Sequence, residues 1–262
     1  MKSVCVFPDS ERLAEEIARS WLEQARQAVN NCGTFSVVLS GGSQDPELYG
    51  RLAEPKWRDH IPWESVHIFF ADERCVPPDD NESNYKTICG NLLNYISIPE
   101  KNIHRMRGEN DPTGESFRYA EEIQNHLVLR KGETCLFDWV FLGVGPDGHT
   151  ASIFASSDLK KSNKLCEKTR HPKTGQYRIT MTPLAIKNSK RITYHATGKR
   201  KAEIVFKLAT DPSASNTFPA AQIRGEWFLD KEAASRLDLD LINKLGKKQK
   251  IIPGSTKFMP IC

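Results

Sequence analysis

The stretch Trp139-Val140-Phe141-Leu142-Gly143-Val144-Gly145-Pro146-Asp147-Gly148-His149-Thr150-Ala151-Ser152 decides how this chain is read. Trp139–Leu142 is an apolar run of strand length, and the glycines at 143, 145 and 148 break it. Asp147 and His149 then fall inside the turn, and Thr150 is placed to open a helix as its N-cap. A carboxylate two residues from an imidazole can orient a general base. The carboxyl end of a strand in an open α/β sheet is also where ligands bind. The stretch reads as an active-site loop.

The same glycines spell G-x-G-x-x-G, the dinucleotide fingerprint. That motif belongs after the first strand of a βαβ unit, with an acidic residue closing the next strand about 20 residues on. Here the loop lies past mid-chain, and Ser157–Gly175 is polar and Lys-rich, so no second strand is expected there. Asp147 and His149 would also crowd a pyrophosphate. A plain structural turn is the other alternative, since glycine-rich βα loops are common. Neither alternative accounts for an Asp and a His in one turn.

The chain has 262 residues, enough for one large α/β domain or two small ones, and 39% apolar residues, enough for a core. A net charge of +4 does not imply nucleic acid. No segment is long and apolar enough to span a membrane, and Pro8 and Asp9 follow the first apolar run too soon for a signal peptide. The seven cysteines (5, 32, 75, 89, 135, 166 and 262) are scattered without a C-x-x-C pair. They suggest neither a zinc site nor a disulfide framework, and free thiols in a reducing cytosol are expected.

Strands and helices alternate along the chain. Met1–Phe7 reads as a first strand, and Asp9 or Ser10 caps an amphipathic helix with Leu13, Ile17, Trp21, Ala25 and Ala28 on one face. Strands follow at Phe35–Leu39 and Val66–Ala71, with a short helix from Pro46 to Leu52 between them. Helices are expected over Asn84–Tyr95 and Glu115–Val128, ahead of the strand that feeds the Asp147 loop. Later come a strand at Tyr177–Met181, a helix at Pro183–Asn188, a strand at Arg191–Ala196 and a helix at Lys201–Ala209. Trp227–Leu229 is a last strand, with Asp230 capping a helix behind it. The alternation predicts an α/β fold: a doubly wound, mostly parallel open sheet with helices on both faces. Residues 1–245 read as a single domain, Ser157–Gly175 as a surface excursion, and residues 246–262 as a solvated, mobile tail.

Three strand ends carry polar loops. Ser40-Gly41-Gly42-Ser43 offers backbone N–H groups and hydroxyls before a helix N-terminus, a generic phosphate cradle. It lacks the Gly-Lys-Ser/Thr of a nucleotide P-loop, and an ordinary tight turn is the alternative. Asp72-Glu73-Arg74 sets two carboxylates and a guanidinium after an apolar strand, with an ion pair at a strand end as the alternative. Arg178 and Lys201 are candidate anion ligands; taken alone, each is more often a solvated charge. Lys201 would sit in the first turn of its helix, where the dipole disfavours a cation unless an anion is bound.

Taken together, Ser40–Ser43, Asp72–Arg74, Ser83-Asn84-Tyr85, Gly143–Ser152, Arg178-Ile179-Thr180 and Gly198-x-x-Lys201-Ala202 resemble the 6-phosphogluconolactonase family. The resemblance runs in order to Trp227–Asp230, nearly the whole chain except the tail. It implies hydrolysis of 6-phospho-D-glucono-1,5-lactone in the oxidative pentose phosphate pathway, in the cytoplasm, without metal or organic cofactor. The partner it implies is the small sugar-phosphate lactone, with no nucleic acid and no membrane, for a monomer or small homo-oligomer. It assigns catalysis to His149 and Asp147. Ser40, Gly41, Gly42, Ser43, Asp72, Arg74, Arg178 and Lys201 would bind substrate or phosphate. Two departures stand out. The phosphate loop usually continues Ser-Thr-Pro but reads Ser43-Gln44-Asp45-Pro46 here, and Ala155 stands where the family usually has Pro.

The chemistry fits these residues by itself. A lactone ester needs an activated water, an oxyanion site and a grip on the phosphate. His149 is the natural base at neutral pH, Asp147 can fix its tautomer, and glycine-turn N–H groups can meet the oxyanion. The nearest rival is glucosamine-6-phosphate deaminase, which resembles this chain in fold and in its Asp-Gly-His turn. That family carries a Glu supporting the His where this chain has Phe154, and a Tyr where it has Arg74. A silent sugar-phosphate sensor is the rival from another class. Its helix-turn-helix has no room before the first strand.

Overall fold

The computed structural model describes residues 1, 3–42, 45–129 and 135–246. Its strands are β1 (Ser3–Phe7), β2 (Phe35–Leu39), β3 (Val66–Phe70), β4 (Asp72–Arg74), β5 (Ile103–His104), β6 (Phe137–Leu142), β7 (Cys166–Arg170), β8 (Tyr177–Met181), β9 (Ser189–Ala196) and β10 (Glu226–Asp230). Its helices are α1 (Ser10–Cys32), α2 (Asp45–Leu52), α3 (Pro55–Arg58), α4 (Asn84–Asn91), α5 (Pro112–Leu129), α6 (Pro183–Lys187), α7 (Ala202–Thr210), α8 (Ala214–Thr217), α9 (Pro219–Gln222) and α10 (Leu239–Leu245).

Seven strands form one parallel sheet in the order β1-β10-β9-β6-β2-β3-β5. From β2 the chain winds outward to β3 and β5; from β6 it winds the other way to β9 and β10. The neighbours β2 and β6 therefore mark the point where the winding reverses, and a crevice opens at their carboxyl ends. Ser40 and Gly143 begin the loops there.

Strand alternation divides the apolar side chains between the two faces. Val37, Leu39, Ile68, Phe70, Trp139 and Phe141 pack on one side, against α1, α2 and α4. Val38, Phe69, Val140 and Leu142 pack on the other, with α5 and α7. The α1 stripe read from the sequence is buried at Leu13, Ile17, Trp21 and Ala25, with Ala28 half-buried beside them. Asp9 caps α1 by accepting from the Arg12 N–H at 2.7 Å. Gly33 ends the helix in the left-handed region at φ 80°.

The doubly wound parallel sheet is as expected, but Tyr177–Met181 is not part of it. It forms β8 at the centre of a separate antiparallel sheet, β4-β8-β7. The surface excursion expected at Ser157–Gly175 contains β7, which escaped notice because Cys166-Glu167-Lys168-Thr169-Arg170 buries only its cysteine. Thr150 opens no helix. Ala151 turns into the left-handed region at φ 47°, and the Ile153 N–H closes a turn on the Thr150 carbonyl. Asp230 opens none either: residues 231–236 form turns, and its carboxylate accepts from the Ala233 and Gly198 N–H groups. The helix expected over Asn84–Tyr95 stops at Asn91, and the next begins at Pro112 rather than Glu115. The expected tail, 247–262, lies outside the described residues.

Trp21 is fully buried, stacked on Phe141 at 5.5 Å between ring centroids and edge-on to Phe35 at 5.8 Å. Trp21→Ala is expected to cost about 3–5 kcal/mol in urea unfolding, since the strands around the cavity cannot collapse into it. A loss under about 1 kcal/mol would contradict this account of the core.

Candidate active site

The turn after β6 is built around an imidazole. Gly145 donates its N–H to the His149 carbonyl at 2.8 Å, and Gly148 donates to the Gly145 carbonyl at 3.0 Å. A Cβ at Gly145 would lie 2.2 Å from the His149 ring, so only glycine fits there. Gly148 adopts φ +79°, and its carbonyl accepts from the Ala220 N–H at 3.0 Å, tying the turn to α9. The Thr150 hydroxyl donates to the Gly143 carbonyl at 2.9 Å.

This fold of the turn brings His149 Nδ1 to 2.5 Å from the Asp147 carboxylate. The hydrogen bond from His149 holds the Asp147 carboxyl down to about 2, against the opposing effect of burial. Asp147 is thus a carboxylate at any pH at which an imidazole acts as a base. The pairing assigns the Nδ1 proton to the side facing Asp147 and leaves Nε2 as the basic nitrogen. Phe154, buried, packs its ring 5.1 Å from His149 and 5.2 Å from His171.

The second wall comes from β4 and β8. Asp72 is buried, accepts from the Ser152 hydroxyl at 2.7 Å, and takes the Asn84 amide on its backbone carbonyl at 2.8 Å. The same Asn84 side chain fills the space beside Gly41, where a Cβ would come within 2.0 Å of it. Glu73 points away from the crevice. It accepts from the N–H groups of Arg74, Asn84 and Tyr85, each at 2.8 Å, and from the Ser83 hydroxyl at 3.1 Å. Burial raises its carboxyl above the ordinary value, with those N–H groups opposing the rise. Glu73 therefore anchors the start of α4, and the ion pair considered for an Asp-Glu-Arg strand end does not form.

Arg74 and Arg178 are directly opposed across the β4·β8 ladder. Like charges so placed repel. The Nε atoms of both are buried without a hydrogen-bond partner, although Arg74 donates through Nη1 to the Glu82 carbonyl. Burial and the Arg74 charge depress the Arg178 guanidinium from its ordinary value. Two half-buried guanidiniums lining one crevice form a site that an anion would complete.

Lys201 ends a short 3₁₀ turn just before α7, not in the helix itself, and donates to the Val144 carbonyl at 2.7 Å. It lines one cleft of about 270 Å³ with Gly41, Asp72, Arg74, His149 and Arg178. Ser40 and Gly42 border the same cleft, but the Ser40 hydroxyl is committed to the Phe141 carbonyl at 2.6 Å. Ser43 and the side chain of Asp45, which opens α2, lie outside the description. Sequence reading gave no role to Asn84, Ser152, His171 and His195, which hold or line the cleft. Asn84 and Ser152 carried a signal, as the middle of Ser83-Asn84-Tyr85 and the end of Gly143–Ser152; His171 and His195 carried none.

The family described as glucosamine-6-phosphate isomerases/6-phosphogluconolactonase matches residues 8–229. A 6-phosphogluconolactonase from Haemophilus influenzae is 38% identical over 238 residues, covering 88% of this chain and 98% of its own length. The chain belongs to this family. A solved devB protein superposes with a TM-score of 0.83 at 36% identity, covering 91% of this chain and all of its own. The 6-phosphogluconolactonase of Thermotoga maritima gives 0.74 at 28% identity, covering 87% and 99%. A monomeric glucosamine-6-phosphate deaminase gives 0.74 at 21% identity, a likeness of fold.

If the opposed arginines await an anion, inorganic phosphate stabilises the folded protein by mass action. Arg178→Met keeps the apolar stem and removes one of the repelling charges. It is expected to be no less stable than the parent without phosphate and to lose most of the phosphate-induced rise in Tm. An undiminished rise would place the anion elsewhere.

Proposed function

We propose that the chain hydrolyses 6-phospho-D-glucono-1,5-lactone to 6-phospho-D-gluconate, with His149 as general base. The observation that carries this reading is a single cleft holding an Asp-oriented imidazole and a cluster of cations. Nε2 of His149 takes a proton from water as its oxygen attacks the lactone carbonyl carbon. The tetrahedral intermediate then collapses, the ring C–O bond breaks, and the imidazolium returns its proton to the departing alkoxide. Asp147 steadies the imidazolium through Nδ1–H. Gly145 and Gly148 spend their N–H groups within the turn, so cationic side chains of the cleft meet the oxyanion. Arg178, Lys201 and the Gly41-Gly42 loop hold the phosphate, and that binding energy sets the carbonyl against His149.

The deaminase alternative is disfavoured at Phe154. An apolar ring, not a carboxylate, supports His149 from that side. We place the activity in the cytoplasm; the scattered spacing of the seven cysteines suits a reducing compartment.

His149→Ala is expected to lower kcat on freshly generated 6-phosphogluconolactone at least ~10²-fold, after correction for spontaneous hydrolysis. A folded variant with near-full activity would refute the assignment. Asp147→Asn is expected to cost at least ~10-fold in kcat with KM nearly unchanged, because Asp147 meets the imidazole rather than the substrate. A rise in KM at constant kcat would move Asp147 to the substrate.

A further inference from the structure

Three histidines that take no part in the cleft meet at the outer edge of the seven-stranded sheet. His67 comes from β3, His104 from the edge strand β5, and His126 from α5, which packs over both. One ring nitrogen from each lies within 4.8 Å of the other two. His67 Nδ1 and His104 Nε2 are already 3.0 Å apart. Three imidazoles around zinc, with Zn–N near 2.0–2.1 Å and tetrahedral angles, bring their nitrogens to about 3.3 Å from one another. Since no pair is wider than 4.8 Å, closing the cluster takes at most about 1.5 Å of ring movement.

The surroundings favour a metal over three stacked rings alone. His104 Nδ1 lies 2.7 Å from the Glu122 carboxylate, so its proton is held there and the Nε2 lone pair faces the cluster. A carboxylate behind a ligating imidazole is the usual way such a ligand is oriented and made more basic. Arg118 fixes Glu122 in turn, bridging it to the buried Glu115. Phe69 stacks on His104 at 4.1 Å, and His126 is only 5% exposed, so the nitrogens lie in a sheltered, largely apolar place. A cleft of about 650 Å³ beside them, bordered by Lys101 and Asn125, gives access from solvent.

We propose that His67, His104 and His126 bind one divalent transition-metal ion of the zinc type, with Glu122 orienting His104 and water in the fourth position. An all-imidazole set suits zinc, copper or nickel and not magnesium or calcium, which take oxygen ligands. The sequence expectation of no metal site rested on the cysteines and on the family resemblance; these histidines are too scattered to form a motif.

The test is calorimetric titration of the chelator-treated protein with Zn²⁺. The parent and His149→Ala are expected to take up one equivalent more than His104→Ala, which excludes the histidine of the cleft as the ligand. Glu122→Gln is expected to bind that equivalent ~10–100-fold more weakly. Should His104→Ala fail to fold, Glu122→Gln carries the test. Zinc binding as in the parent for both His104→Ala and Glu122→Gln, or none in the parent, overturns the proposal and leaves a hydrogen-bonded imidazole cluster only.

Discussion

The ring of His149 occupies the space that any side chain at residue 145 would need. The rest of the site depends on that exclusion. With glycine at 145 the chain doubles back on itself, returns the Asp147 carboxylate to Nδ1, and sets the imidazole in the wall of the cleft with Nε2 uncommitted to Asp147. The turn is then fixed from outside by α9 through the Gly148 carbonyl and by Phe154 beneath the imidazole. A base presented on a loop this closely tied needs little reorganisation when the reaction begins.

The second constraint is electrostatic. The small antiparallel sheet leans its β4·β8 ladder over the carboxyl ends of the parallel strands, bringing Arg74 and Arg178 into register. The pairing is unfavourable in the free protein and favourable with an anion between them, so some of the fold's stability is given up for binding. Asp72 stands next to both arginines and is held by Ser152 and Asn84, and its charge only partly offsets the burial and the Arg74 charge that depress Arg178. Asn84 also packs on Gly41, so one amide couples the phosphate loop to the arginine wall.

Much of this was legible in the sequence. The strands at 35–39, 66–70 and 137–142 are near-continuous apolar runs because both faces of a parallel sheet are covered. Asp147 and His149 stood out because their spacing is local. What escaped depends on contacts distant in sequence. The antiparallel sheet pairs a three-residue strand with a polar hairpin, and neither piece has a period of its own. Thr150 looked like an N-cap until Ala151 took a left-handed conformation, which no local rule demands of alanine. The partners of Asp72 lie 12 and 80 residues away, beyond any spacing motif.

The central claim is that one cleft joins a phosphate grip to an Asp-oriented base, so that binding the phosphate places the lactone carbonyl. Comparing kcat/KM for 6-phosphogluconolactone with that for unphosphorylated gluconolactone on the parent enzyme tests it most directly. A charge-assisted grip worth several contacts predicts a preference of at least ~10²-fold for the phosphorylated lactone. Equal values for the two substrates would contradict it.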